Sequence, residues 1–219
     1  MVLRLSERLG LPLRERNSLL TAAGFAVAFP ERRLDEEPLA AARRAVDLIL
    51  NKLEPNPTFA VDRHWTLVQA NKAADIFTES VDPALLVPPV NMLRLCLHPG
   101  GFTPNVLNYT IWRKNVIGFL DQQVAITADS FLTDLAKELK GYPKPELIKD
   151  ISPANEIDYS GFAVPLQLMT SEGELSFIST VTVFGTPIDV TVSELAIETF
   201  FPADKQTADA LNRSTIADY

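Results

Sequence analysis

Cysteine is almost absent: Cys96 is the only one in 219 residues, so no disulfide can form within the chain and a reducing, cytoplasmic setting is expected. Histidine is nearly as scarce, and His64 and His98 with one cysteine offer no zinc-ligand spacing. Basic charge is in deficit as well. Twenty Lys and Arg against 28 Asp and Glu leave a formal net charge of −8, which opposes a grip on DNA or RNA by the chain itself. Long apolar runs are missing: Ala84–Val87 and Thr180–Phe184 fall far short of a membrane span, and residues 1–20 are too charged for a signal peptide, so no membrane partner is expected. The sequence also lacks a Gly-x-Ser-x-Gly elbow, a glycine-rich phosphate loop and a His-Glu-x-x-His pair, and with them any common catalytic signature. With 47% hydrophobic and 22% charged residues, what remains is the composition of a soluble globular domain.

The most informative stretch is residues 58–74. Phe59–Val61 and Trp65–Val68 are short β-rich runs around a polar turn at Asp62-Arg63-His64, and Asn71 stands where an amide can cap a helix beginning at Lys72. Strand, turn, strand and capped helix is the opening of a PAS-type sensory fold, in which a curved antiparallel sheet and a helical clamp enclose a ligand. Upstream, residues 3–9 and 13–23 read as two short helices, with Gly24 ending the second, followed by an extended stretch from Phe25 to Pro38. Leu39, Ala42, Val46, Ile49, Leu50 and Leu53 then mark one face of a helix that Pro55 and Pro57 stop.

Downstream, Asn91 can cap a helix over Met92–Leu97, and Thr103-Pro104 reads as the start of a helix running to about Ile126. A further helix is expected from Asp129 to Leu139 and a proline-bearing loop over 142–160. The period then changes to two: Val164, Leu166 and Leu168, then Leu175 to Val183, with a hairpin turn at Ser171-Glu172-Gly173 between them. A last strand over Leu195–Phe201 and a helix over Ala203–Leu211 complete an α+β chain with a five-stranded antiparallel sheet. The expected divisions are 1–28 for the first helices, 29–57 for linker and connecting helix, and 58–212 for the PAS-like domain.

Three stretches resemble the MmyB-like transcription regulators: Leu11-Pro-Leu-Arg-Glu-Arg-Asn17 with Ala22-Ala-Gly24, Pro89-Val-Asn-Met-Leu-Arg-Leu-Cys-Leu-His-Pro99, and the long segment Ser179–Pro202. The resemblance implies an N-terminal helix-turn-helix of the XRE type joined to a PAS-like domain that can hold a fatty acid or similar lipid. Leu3–Gly10 resembles the end of that DNA-binding domain. DNA is therefore expected as a partner only through a recognition helix upstream of Met1, missing here through a later start, trimming or loss. A homodimer is expected, and no cofactor beyond a possible bound fatty acid.

Asn91, Arg94, Leu95 and His98 share one stripe of the Met92–Leu97 helix, where Arg94 can meet the carboxylate of a bound acid. Tyr109, Trp112, Val116 and Phe119 form a face able to line a pocket against Phe177, Ser179 and Val181 on the sheet. The same aromatics serve equally as core, Asn91 as cap and Arg94 as partner of a surface acid. Two other readings stay open, a dimerisation module with a filled core and an enzyme with His98 as base. The expectation is a non-enzymatic, ligand-sensing regulator domain.

Overall fold

Leu166, Leu168, Leu175 and Phe177 are two apart within each run, and in a computed structural model of the chain all four are buried in one core. The structure describes residues 1–145 and 164–216, the side chains of 214–216 excepted. Strands β1 (Thr58–Val61), β2 (Leu67–Ala70), β3 (Leu166–Thr170), β4 (Gly173–Val183) and β5 (Ala196–Pro202) form one antiparallel sheet in the order β2-β1-β5-β4-β3. The last strand is thus the central one, and its Glu198 pairs with Phe59 on one side and Val181 on the other. Eight helices accompany the sheet among the described residues: α1 (Val2–Arg8), α2 (Leu13–Ala22), α3 (Ala40–Lys52), α4 (Met92–Leu97), α5 (Tyr109–Thr127), α6 (Ser130–Gly141), α7 (Val190–Ser193) and α8 (Lys205–Ile216). The architecture is the expected one: α+β and PAS-like, with two short helices first.

Alternation along the strands sorts the apolar side chains into two cores. Phe59, Phe177 and Phe200 turn inward and meet Leu95 of α4, Leu120 of α5 and Leu135 of α6. Ala60 and Ile197, one residue out of phase, turn outward and are covered by Val46 and Leu50 of α3. The N-terminal helices end where glycine allows positive φ, at Gly10 (66°) and Gly24 (79°). Each closes with a 6→1 bond, Leu11 N–H to Ser6 O at 3.0 Å and Phe25 N–H to Leu20 O at 2.9 Å. They are tied to the sheet domain by Arg14, which donates to Glu194 at 2.6 Å and also pairs with Glu31, and by Val190 N–H donating to Pro30 O at 2.8 Å.

Several local expectations need correction. β2 begins at Leu67, not Trp65, because the Asp62 carboxylate accepts from the N–H groups of His64 and Thr66, both at 2.8 Å. That closes the turn tightly and leaves Trp65 at φ 65°. Asn71 does not cap with its side chain. Its amide is buried, accepts from Thr58 N–H at 2.9 Å and donates to Asn56 O at 2.9 Å and Leu50 O at 3.3 Å, stitching α3 to the hairpin; the turn after it, Lys72–Phe77, is a 3-10 helix. Thr103-Pro104 starts only a 3-10 turn, Thr103–Asn105. Val106 then bridges to Leu168, and α5 begins at Tyr109. The short helix α7, capped by Asp189 on Thr191 N–H at 2.9 Å, was not anticipated. The proline-bearing loop expected over 142–160 lies, from residue 146, outside the described residues.

Candidate functional site

Helix α4 owes its place to the hairpin. Asn91 Oδ1 accepts from Arg94 N–H at 3.1 Å, as an N-cap should, while its Nδ2 donates to His64 O at 2.7 Å. Met92 N–H reaches Trp65 O at 2.9 Å and Leu67 N–H reaches Val90 O at 2.8 Å. Met92 and Leu95 are thereby held opposite Phe59 and Leu67. The space between is incompletely filled, leaving a cavity of about 170 Å³ that Ala74, Phe77 and Val90 also line, with Asp75 at its edge.

A second hollow, a half-open groove of about 360 Å³, lies beyond Phe77. Ile76, Phe77, Phe102, Leu168 and Met169 make its apolar surface, and Glu79, Ser80, Asn105, Thr170 and Ser171 its polar lining. Ser171 donates to Glu79 at 3.0 Å and Asn105 to Ser80, so the surrounding turns are laced together. Phe77 belongs to both linings and is the wall between them. Its ring lies 4.8 Å from Phe200, 5.4 Å from Phe102 and 5.8 Å from Phe177. Phe102 reaches this cluster because Gly101 lets the chain pass α4 closely: a Cβ there would sit 2.1 Å from Leu95 O.

Of the residues singled out in the sequence, Leu95 lines the inner cavity and Phe177 stands directly behind Phe77. Asn91 is the cap described above. Arg94 is held by Glu138 of α6 through two bonds of 2.8 Å, and Tyr142 donates to the same carboxylate. That bond to Arg94 holds the Glu138 carboxyl below the usual carboxylate range, and burial lifts the Tyr142 hydroxyl to about 12. His98 accepts from Gly100 N–H at 3.0 Å through Nδ1 and lies edge-on to Tyr142 at 5.0 Å.

Tyr109, Trp112 and Val116 are buried in the main core and line neither hollow; among the described residues Trp112 Nε1 has no hydrogen-bond partner. Phe119 is 41% exposed and meets Trp65 edge-on at 5.3 Å. Ser179 is half-buried and Val181 is exposed. Sequence reasoning passed over Phe77, the residue around which both hollows are built. The signal available was a phenylalanine five residues beyond Lys72, on an element read as an ordinary short helix.

Two titratable groups, half-buried Glu198 and buried Cys96, lie between sheet and clamp. Burial raises the Glu198 carboxyl to about 7 despite a hydrogen bond from Ser179, and burial with the nearby Glu198 charge pushes the Cys96 thiol far up, leaving it an inert core residue. Among the described residues no group of three His, Cys, Asp or Glu is placed to hold a metal, and no helix is long and apolar enough to cross a membrane.

Sheet, clamp and cavity define a PAS-like ligand-binding domain. Residues 42–213 match the family model of the MmyB-like transcription regulator ligand binding domain, and the chain belongs to that family. It is the ligand-binding domain of a transcription regulator. No curated protein matches the chain. Among solved structures it is similar to one described as the crystal structure of the phage VqmA-DPO complex, with 14% identity and a TM-score of 0.32, over 84% of this chain and 62% of that one. The chain thus spans less than two thirds of that neighbour's length.

Proposed function

We propose that this domain senses an apolar small molecule, of fatty-acid type or similar, in the space around Phe77, and that occupancy modulates DNA binding by an XRE-type helix-turn-helix joined to its N-terminal side. The observation that carries the reading is the unfilled apolar cavity under α4, lined by Phe59, Leu67, Phe77, Met92 and Leu95. Burying about eight methylenes there is worth about 6 kcal/mol at about 0.8 kcal/mol each, before several kcal/mol of association cost. From these contacts alone, affinities of about millimolar or weaker are therefore expected. Leu95 borders the chain of the ligand and Phe177 backs the Phe77 ring. Tyr109, Trp112, Val116 and Phe119 support the clamp from α5, Ser179 and Val181 continue the sheet, and Asn91, Arg94 and His98 hold α4 in place. The protein acts in the cytoplasm, without catalysis.

A ligand acts by linkage: it favours the clamp arrangement that it fits best. Supporting this, charged side chains run from the clamp to the N-terminal helices. Asp129, the cap of α6, lies 3.2 Å from His64 Nε2 and 3.4 Å from Arg63; Arg63 lies 3.8 Å from Glu194, which Arg14 of α2 grips. Burial pushes the Asp129 carboxyl up, but His64, the Leu132 N–H and Arg63 outweigh it and the net shift is downward. A homodimer is supported by the stripe Ile111, Phe119 and Ile126 on α5, which is 57%, 41% and 72% exposed.

The test is saturable binding of an apolar fluorescent dye and its displacement by alkyl compounds of graded length. Saturation at one site per chain, with displacement that strengthens with length up to a limit, is expected. A linear, unsaturable dye response would contradict the reading.

A further inference from the structure

The two hollows differ in what surrounds them, and the difference bears on the chemistry of the ligand's head. The inner cavity is apolar except for Asp75 and Thr78, whereas the groove combines Phe102, Leu168 and Met169 with Glu79, Ser80, Asn105 and Ser171. Among the described residues that line either hollow there is no Lys, Arg or His. The cation nearest in sequence on α4, Arg94, is already bound in bidentate fashion by Glu138. The chain as a whole adds a formal charge of −8.

We propose, resting on the ligand-sensing reading above and narrowing its fatty-acid type to neutral or cationic alkyl relatives, that the groove is the head-group subsite and selects a hydrogen-bonding head such as an alcohol, amide or amine over a carboxylate. A carboxylate in the groove would lie beside the like charge of exposed Glu79 with no cation among the lining residues, and like charges repel. An ammonium gains from Glu79, and a hydroxyl exchanges hydrogen bonds with Ser80, Asn105, Thr170 or Ser171. The alkyl chain extends past Phe77 into the inner cavity. Phe77 lines both hollows, so its ring must turn for the chain to pass. With the ring turned, the two hollows join into a single space of the size small-molecule sites occupy.

Decylamine, 1-decanol and decanoate, matched in chain and kept below micelle formation, are titrated into the full chain by calorimetry at low salt and at 0.5 M salt. The expected order is decylamine, then decanol, with decanoate about tenfold weaker than decanol. Glu79→Gln is expected to bring decylamine down to the level of decanol and to leave decanol unchanged, and salt to act on decylamine alone. Decanoate binding as tightly as decanol, or a decylamine affinity that Glu79→Gln does not alter, overturns the head-group assignment while the ligand-sensing reading stands. Binding by none of the three removes both.

Discussion

The two ends of the space between sheet and clamp are built differently. Over β3 and β4 lie α5 and α6, long helices whose Leu120, Leu135 and Leu139 meet Leu166, Leu175 and Phe177 with no side chain more than 1% exposed. Short elements border both hollows instead: the 3-10 turns Lys72–Phe77 and Pro83–Leu86 and the six-residue α4 surround the inner cavity over β1 and β2, and Phe77 with the 3-10 turn Thr103–Asn105 borders the groove at the Leu168–Thr170 end of β3. A long helix presents a continuous ridge that interdigitates with a sheet. Short turns present isolated side chains and leave gaps between them. The fold thus divides its labour: the long helices supply stability and the short turns supply room.

The largest effect expected is at the filled end. Leu139→Ala should cost about 2–5 kcal/mol in denaturant unfolding, and the same truncation at Leu95, which already borders a void, about 1 kcal/mol less. Equal losses would erase the contrast. Glu198, on the central strand between the two ends, comes next. Its folded carboxyl titrates at about 7 against 4.5 ordinarily, so the unfolded chain ionises first and the folded state loses stability as pH rises from about 4.5 through about 7. Glu198→Gln should therefore match the native chain at pH 4 and exceed it by up to about 3 kcal/mol at pH 8, read from melting curves. No pH dependence in that difference would show the carboxyl to be solvated.

Adding volume sharpens the same comparison. Ala136→Leu on α6 should destabilise by about 1–3 kcal/mol, whereas Ala74→Leu, which projects into the inner cavity, should be within about 1 kcal/mol of native and weaken alkyl binding at least tenfold. The smallest effect belongs to Arg94→Ala. Its pair with Glu138 is more than a third exposed, so the loss should not exceed about 1 kcal/mol. Because Arg94 holds the Glu138 carboxyl down, that stability is present above pH 4.5 and should vanish as pH falls through the lowered value.

Much of the fold could be read in the sequence because its cues are local. The alternation at Leu166–Leu168 and Leu175–Phe177 gave the strands, and Asn91 three residues before the N–H it caps gave α4. Two of the misreadings share a cause: a long-range partner outbid the local one. The Asn71 amide is taken by Asn56, Leu50 and Thr58 rather than by its own turn, and Val106 joins Leu168 instead of continuing from Pro104. The site was harder still. Arg94 looked available to a ligand because Glu138 lies 44 residues away, and Phe77 was passed over because a cavity has no sequence pattern.

The methionines sample the contrast directly, since Met92 lines the inner cavity, Met169 lines the groove and Met1 is fully exposed. Methyl-labelled methionine NMR during titration with 1-decanol should move the Met92 and Met169 signals together to a common saturation point and leave Met1 in place. A saturated titration in which the Met92 methyl does not move would contradict the claim that the ligand enters beneath α4.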